Sequence, residues 1–268
     1  YLLQDVVATI APTVLRLAPP ISGRTGGAVN EPIAVISMAC RFPGAATPEQ
    51  FWQLLAAGTD MVQAVPSSRW DVEAFYNPER PKPGKMYMRE AAVVVGVTEI
   101  DPLFFGITPR EAIGMDPHHR LLLEMSWEAL ERAGLAPGSL VDSPTGVFVG
   151  IGESDYPLVL QGANGLEADP YAVTSSGHSI AAGRLAYTLG LQGPTLAVDT
   201  ACSSSLVALH LACQSLRSGE CDLALAGGVN LMLTPFTHIA LSQMQALSPD
   251  GRCKTFDAAA DGYGRGEG

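Results

Sequence analysis

The chain has 268 residues, 47% of them hydrophobic, with 16 basic against 27 acidic side chains and a formal net charge of −11. That length suffices for one large core or two small ones, and the acidity repels a phosphate backbone, which argues against nucleic-acid binding. No apolar run reaches the roughly 18 residues of a membrane span, and residues 1–30 lack the basic region and apolar core of a signal peptide, so no membrane is expected and a cytoplasmic setting is.

Residues 1–18 carry apolar side chains at roughly helical spacing, interrupted by Pro12. The stretch PPISGRTGGAVNEP reads as a linker, so residues 1–30 are expected to be a helix and linker or docking segment. The globular part is expected over 31–268. Residues 32–38 (PIAVISM) predict a short buried strand. TPEQFWQLLAAGTD predicts a helix capped by Thr47, with Pro48 in its first turn and Gly58 at its end. Residues 77–85 (NPERPKPGK) predict a loop. Residues 118–134 predict an amphipathic helix with Leu122, Met125, Leu130 and Ala133 near one face and Gly134 closing it.

Strands and helices then alternate. Strands are expected at 145–151, 195–200 and 222–229. Helices are expected at 178–189 and from Cys202 to about Arg217. This order predicts an α/β layered fold with a mostly parallel sheet.

The five cysteines are Cys40, Cys202, Cys213, Cys221 and Cys253. Their odd number and irregular spacing, without a CxxC, predict neither a disulfide framework nor a zinc site, and no metal is assigned. A reducing compartment fits them. Free cysteine is most often a small buried hydrophobe, and Cys40, Cys213, Cys221 and Cys253 are read that way. Cys202 is different, because it stands between the strand TLAVDT and a helix of about 15 residues, on the order of 22 Å long. The first turn of a helix offers N–H groups and the positive end of the dipole, which favour a thiolate and can stabilise an oxyanion. The three serines after Cys202 suit a first turn and leave room for a substrate. Cys202 is therefore the candidate catalytic nucleophile. A serine-hydrolase elbow is excluded, since it needs glycines two residues to each side of the nucleophile. Thr200 and Ser204 stand there around Cys202, and Ala201 and Ser205 around Ser203.

The segment VDTACSSSLVALHLACQSLRSGECDLALAGGVNLML resembles the active-site region of β-ketoacyl synthases, in the form found in modular type I polyketide synthases. EPIAVISMACRFPGAATPEQFWQLLAAGTD, FFGITPREAIGMDPHHRLLLEMSWEALERAGL, SIAAGRLAYTLGLQGPTLAVDTACSSS and ALSPDGRCKTFDAAADGYGRGEG extend the resemblance over about residues 31–268. It implies a thiolase-like fold, layered α/β/α/β/α in the complete enzyme, with the N-terminal half present here. It implies capture of an acyl chain on Cys202, followed by decarboxylative condensation with a malonyl-type unit on a carrier protein. It implies no bound cofactor; the phosphopantetheine arm of the carrier delivers substrate. The implied partners are acyl carrier protein domains, neighbouring polyketide synthase domains such as an acyltransferase, and a second copy of the chain. The 195–200 strand is expected at the edge that pairs in that homodimer.

Three departures from the family pattern stand out. Residues 90–97 read EAAVVVGV where a Gly-rich turn is usual, and His118 and His119 replace two glutamines. The family's further catalytic histidines and lysine lie in motifs absent from this chain, which reads as the N-terminal part of a longer enzyme. Of the histidines present, His118 and His119 are read as a polar patch at a helix start. His210 is read as packed core, and His178 and His238 as loop or helix-end residues. Two other readings remain. One is a non-catalytic fragment that dimerises or binds carrier proteins. The other is a thiolase-type enzyme acting on coenzyme A thioesters, against which the TACSSS, FFGI and PREA motifs speak.

Overall fold

A computed structural model describes residues 31–164 and 172–268. The helix and linker expected within residues 1–30 lie outside the described residues. The first described helix, α1 (Pro48–Ala57), has the bounds its punctuation predicts. Thr47 Oγ1 accepts the Gln50 N–H at 3.2 Å, and Gly58 stops the helix at φ +61°. Two short strands, β1 (Gln63–Ala64) and β2 (Glu90–Ala91), pair antiparallel, with α2 (Val72–Phe75) between them. Residues 77–85 form the expected loop.

The helices α3 (Pro109–Gly114) and α4 (Pro117–Arg132) follow. Gly134, at φ +70°, stands just past the end of α4. The amphipathic expectation for α4 holds in its second half, where Leu130 is buried and Glu131 and Arg132 are exposed, and needs correction in the first. Residues 117–123 are buried all round, because this half lies between the main sheet and the helices beside it.

The main sheet and its helices run β3 (Thr145–Ile151), α5 (Tyr156–Asn164), α6 (Ala172–Ser176), α7 (His178–Leu189), β4 (Thr195–Val198), α8 (Ser204–Ser218), β5 (Leu223–Val229) and α9 (Phe236–Gln243). The strands are parallel in the order β4-β3-β5, with Val147 opposite Thr195 and Thr145 opposite Leu223. All of β3 is buried, as a central parallel strand must be. Its side chains alternate between faces. Val147, Val149 and Ile151 pack with Leu121, Leu122, Ala181 and Leu185 of α4 and α7. Phe148 packs on the other face with Ala208 and Ala212 of α8 and with Cys221. The result is three layers, with α8 on one side of the sheet and α4 and α7 on the other.

The strand expected at 32–38 is not formed. Val35, Ile36 and Met38 are 73%, 58% and 63% exposed, and the run joins no ladder among the described residues. It lies across an open groove from β5. An apolar run carries the tendency to be buried but does not name its partner strand. Here the run pairs with no strand among the described residues.

Candidate active site

The chain turns sharply between β4 and α8, and Cys202 sits at the turn. Ala201 has φ +55°, in the left-handed region that costs a residue with a Cβ on the order of 1 kcal/mol. A ring of hydrogen bonds holds it there. Asp199 Oδ1 accepts the Ala201 N–H at 3.0 Å. Ser204 Oγ accepts the Thr200 N–H at 2.9 Å and donates to the Ala201 carbonyl at 2.7 Å. Ser203 Oγ donates to the Thr200 carbonyl at 2.9 Å. Ser203 and Ser204 thus tie the helix start to the turn, and Cys202, one residue before the N-cap, is left exposed.

The helix start is seated on the sheet through two glycines. A Cβ on Gly150 would lie 2.6 Å from backbone atoms of Ser204 and Ser205, and one on Gly228 would lie 2.7 Å from Ser205 Cβ. Both distances are shorter than side chains permit, so only glycine lets α8 approach this closely.

Cys202 opens onto a groove of about 2180 Å³. Leu209, Ala212 and Leu216 of α8 line one wall, and Leu122 and Met125 of α4 another. Tyr263 and Arg265, from the segment after α9, also line it, as does His178 at the start of α7. Burial raises the Tyr263 phenol above its ordinary range, and the negative charge of a Cys202 thiolate would add to that rise, which puts the two side chains in one electrostatic environment. Burial lowers the Arg265 guanidinium. Sequence reasoning gave Tyr263 and Arg265 no role. Their proximity to the thiol comes from chain folding across 60 residues, and DGYGRGEG alone carries no sign of it.

Among the described residues no group of three or more His, Cys, Asp or Glu is placed to hold a metal ion. No helix there is long and apolar enough to cross a membrane.

The histidines need correction. His118 and His119 are 1% exposed and are part of the interior, not a surface patch. His118 Nδ1 lies 2.7 Å from Asp116 Oδ1, and His118 Nε2 accepts the Leu231 N–H at 3.0 Å. Burial pushes the Asp116 carboxyl up, but the bonds from His118 and Ser154 outweigh it and hold the group below its usual range. Neither ring nitrogen of His119 meets a hydrogen-bond partner among the described residues, and burial pushes this imidazole down to about 4. His238 lies within α9, fully buried beside Trp70; burial first, and Arg265 second, push it down to about 3. His210, read as core, is exposed on α8. His178 stands at a helix start as expected. Of the cysteines read as core, Cys221 is buried, Cys40 and Cys213 are half-buried, and Cys253 is exposed.

Comparison with known proteins gives the frame for this site. Residues 30–268 match the family model for the beta-ketoacyl synthase, N-terminal domain. The chain is 57% identical over 241 residues to a phenolphthiocerol/phthiocerol polyketide synthase of Mycobacterium tuberculosis, covering 90% of this chain and 13% of that protein. It is 48% identical over 270 residues to the spectinabilin polyketide synthase system protein NorC of Streptomyces orinoci, covering 100% of this chain and 12% of that one. The oxazolomycin ketosynthase domain of Streptomyces albus superposes with a TM-score of 0.80 at 40% identity, over 87% of this chain and 40% of the other. The ketosynthase from module 6 of the bacillaene synthase of Bacillus subtilis gives 0.79 at 39% identity, over 87% and 38%. The chain therefore spans a small part of these synthases and about two fifths of the solved ketosynthases. The three-layered α/β arrangement is the thiolase-like fold of those ketosynthase domains. From the matched family model, the identities and the shared fold, the chain belongs to the β-ketoacyl synthase family, in the ketosynthase form of modular polyketide synthases.

Proposed function

We propose that residues 31–268 are the thiol-bearing part of a condensing β-ketoacyl synthase and that Cys202 is its nucleophile, with residues 1–30 a separate linker or docking segment. The observation that carries the reading is the position of Cys202. It is exposed at a strained turn ahead of a 15-residue helix, at the edge of a long and mainly apolar groove.

In the first stage the Cys202 thiolate attacks the carbonyl of an acyl thioester. The tetrahedral oxyanion develops near the N-terminal end of α8, where helix N–H groups and dipole favour negative charge. Collapse expels the carrier's thiol and leaves the acyl group on Cys202. In the second stage a malonyl-type thioester loses carbon dioxide. The resulting enolate attacks the acyl carbon, forms the new C–C bond and returns the cysteine thiolate. Enolate formation calls for hydrogen-bond donors. Of the five histidines, His178 is the one that lines the groove among the described residues, so the family's downstream histidine motifs are the expected donors.

The chain needs no cofactor of its own in this scheme. Substrates arrive on the phosphopantetheine arm of acyl carrier protein domains. A neighbouring acyltransferase supplies the extender, and the setting is cytoplasmic. The exposed outer edge of β4, with Leu196 on it, supports a homodimer.

The test is labelling of the purified chain with an acyl thioester, followed by peptide mass spectrometry. Rapid acylation confined to Cys202 and abolished by Cys202→Ala is expected. Equal label on Cys213 and Cys221, or label persisting in C202A, removes the assignment. Faster transfer from an acyl carrier protein than from acyl coenzyme A supports the synthase reading over a thiolase.

A further inference from the structure

The segment after β5 is held in an unusual way. Five consecutive backbone N–H groups, from Asn230 to Thr234, each donate to an acceptor far away in the sequence. Asn230 N–H donates to the Gly268 carbonyl at 2.8 Å. Leu231 N–H donates to His118 Nε2 at 3.0 Å, and Met232 N–H to Glu267 Oε1 at 2.8 Å. Leu233 and Thr234 N–H donate to the two oxygens of Asp155 at 3.2 and 2.7 Å. Among the described residues this segment belongs to no strand ladder, so these acceptors satisfy its backbone N–H groups, those of buried Leu231, Met232 and Leu233 among them. Asn230, Leu231 and Met232 line the same groove as Cys202.

Four of the five acceptors are oxygens: one backbone carbonyl and carboxylate oxygens of two acidic residues. The remaining acceptor is a neutral imidazole nitrogen. With Asp116 at Nδ1 and a backbone donor at Nε2, the His118 proton must be on Nδ1. A second proton, on Nε2, would remove the lone pair and face the Leu231 N–H with another N–H.

We propose that His118 is a positioning residue for the groove: its Nε2 lone pair fixes Leu231 and the groove wall at 230–232, and protonation of that nitrogen releases them. The ring is 1% exposed, so a released Leu231 N–H finds no water to replace its acceptor without the segment moving. The charged and titratable groups on the elements meeting here include Asp116 at the helix cap, His119 and Arg120 of α4, His178 and Arg184 of α7, Asp155 after β3, and Glu267 with its partner Arg69. Asp116, bonded also to Ser154, stays ionised through the range in which histidines titrate, and it fixes the tautomer. The inference deepens the reading of the groove as the acyl site. Exchange at Leu231 reports it whether or not Cys202 is acylated.

The experiment is residue-resolved amide hydrogen exchange on the whole chain over a descending pH series, corrected for intrinsic rates, in wild type, His118→Gln and His118→Ala, with the His118 ring 15N shifts of wild type followed alongside to locate the protonation of Nε2. Gln offers a neutral amide oxygen as acceptor and does not titrate. Wild-type Leu231 is expected to lose roughly ten-fold in protection in step with that protonation, the worth of one buried hydrogen bond. H118Q is expected to change less than about two-fold beyond the fall shared by amides across β3, and H118A to be roughly ten-fold less protected than wild type from the start of the series. An equal pH course at Leu231 in wild type and H118Q, or full protection in H118A, overturns the proposal. If H118Q does not fold, the ring 15N shifts of wild-type His118 at pH 8 decide: a proton on Nδ1 supports the proposal, and one on Nε2 overturns it.

Discussion

At the scale of single residues, two buried histidines make the folded protein sensitive to acid. Burial pushes His119 down to about 4 and His238 down to about 3, while an unfolded chain takes up protons on histidine from about pH 6.5. Between those values the unfolded state binds more protons than the folded one, so stability rises with pH. It is whole above about pH 6.5 and is lost as pH falls toward 4. For His119 the loss by pH 5 is about 2 kcal/mol. Thermal or urea unfolding of wild type and His119→Gln at pH 7.5 and pH 5 should show the acid loss shrinking by about that amount in the variant. Equal losses in both would assign the acid sensitivity elsewhere. The identity of these histidines was legible, but their burial was not. Two adjacent imidazoles at a helix start read as a solvated patch until α4 is seen enclosed by the sheet and by α7.

At the scale of elements, the position of Cys202, the proposed nucleophile, depends on how closely α8 approaches the sheet. Gly150 and Gly228 create that approach, and the bonds of Ser203 and Ser204 hold the turn that precedes it. Gly150→Ala places a methyl against backbone that cannot yield as a side chain would. The expected cost is about 1–3 kcal/mol from overpacking. Acylation of Cys202 should also slow, because the helix start must lift from its seat. Unfolding curves and labelling rates for G150A check both effects; unchanged values in the two assays would show that the contact is soft. The α1, β3 and α7 bounds followed from the sequence because caps, glycines and apolar runs are local signals. The strand read at 32–38 failed because pairing is not local.

At the scale of the whole molecule, β4 is an outer strand of the parallel sheet among the described residues, and its free edge carries an exposed apolar side chain. Leu196 on that edge is 43% exposed. An uncovered edge of this kind invites pairing with another copy. A dimer through this face is expected at micromolar concentration by light scattering, and Leu196→Glu is expected to shift it to monomer. A wild-type monomer, or a dimer indifferent to L196E, would count against this interface.

The sequence by itself determined the alternating α/β order and the strand-break-helix around TLAVDTACSSS, which makes Cys202 the candidate nucleophile. Each rests on residue types within a few positions of one another, where propensity, capping and helix-start chemistry operate. Tertiary structure decided the rest. It selected the left-handed Ala201, which has no glycine to announce it, and brought Tyr263 and Arg265 to the groove of Cys202. It gathered acceptors from residues 118, 155, 267 and 268 onto five successive N–H groups. Those placements depend on which distant groups the packed layers bring within about 3 Å, and a hydrogen bond across a hundred residues leaves no periodicity in the chain.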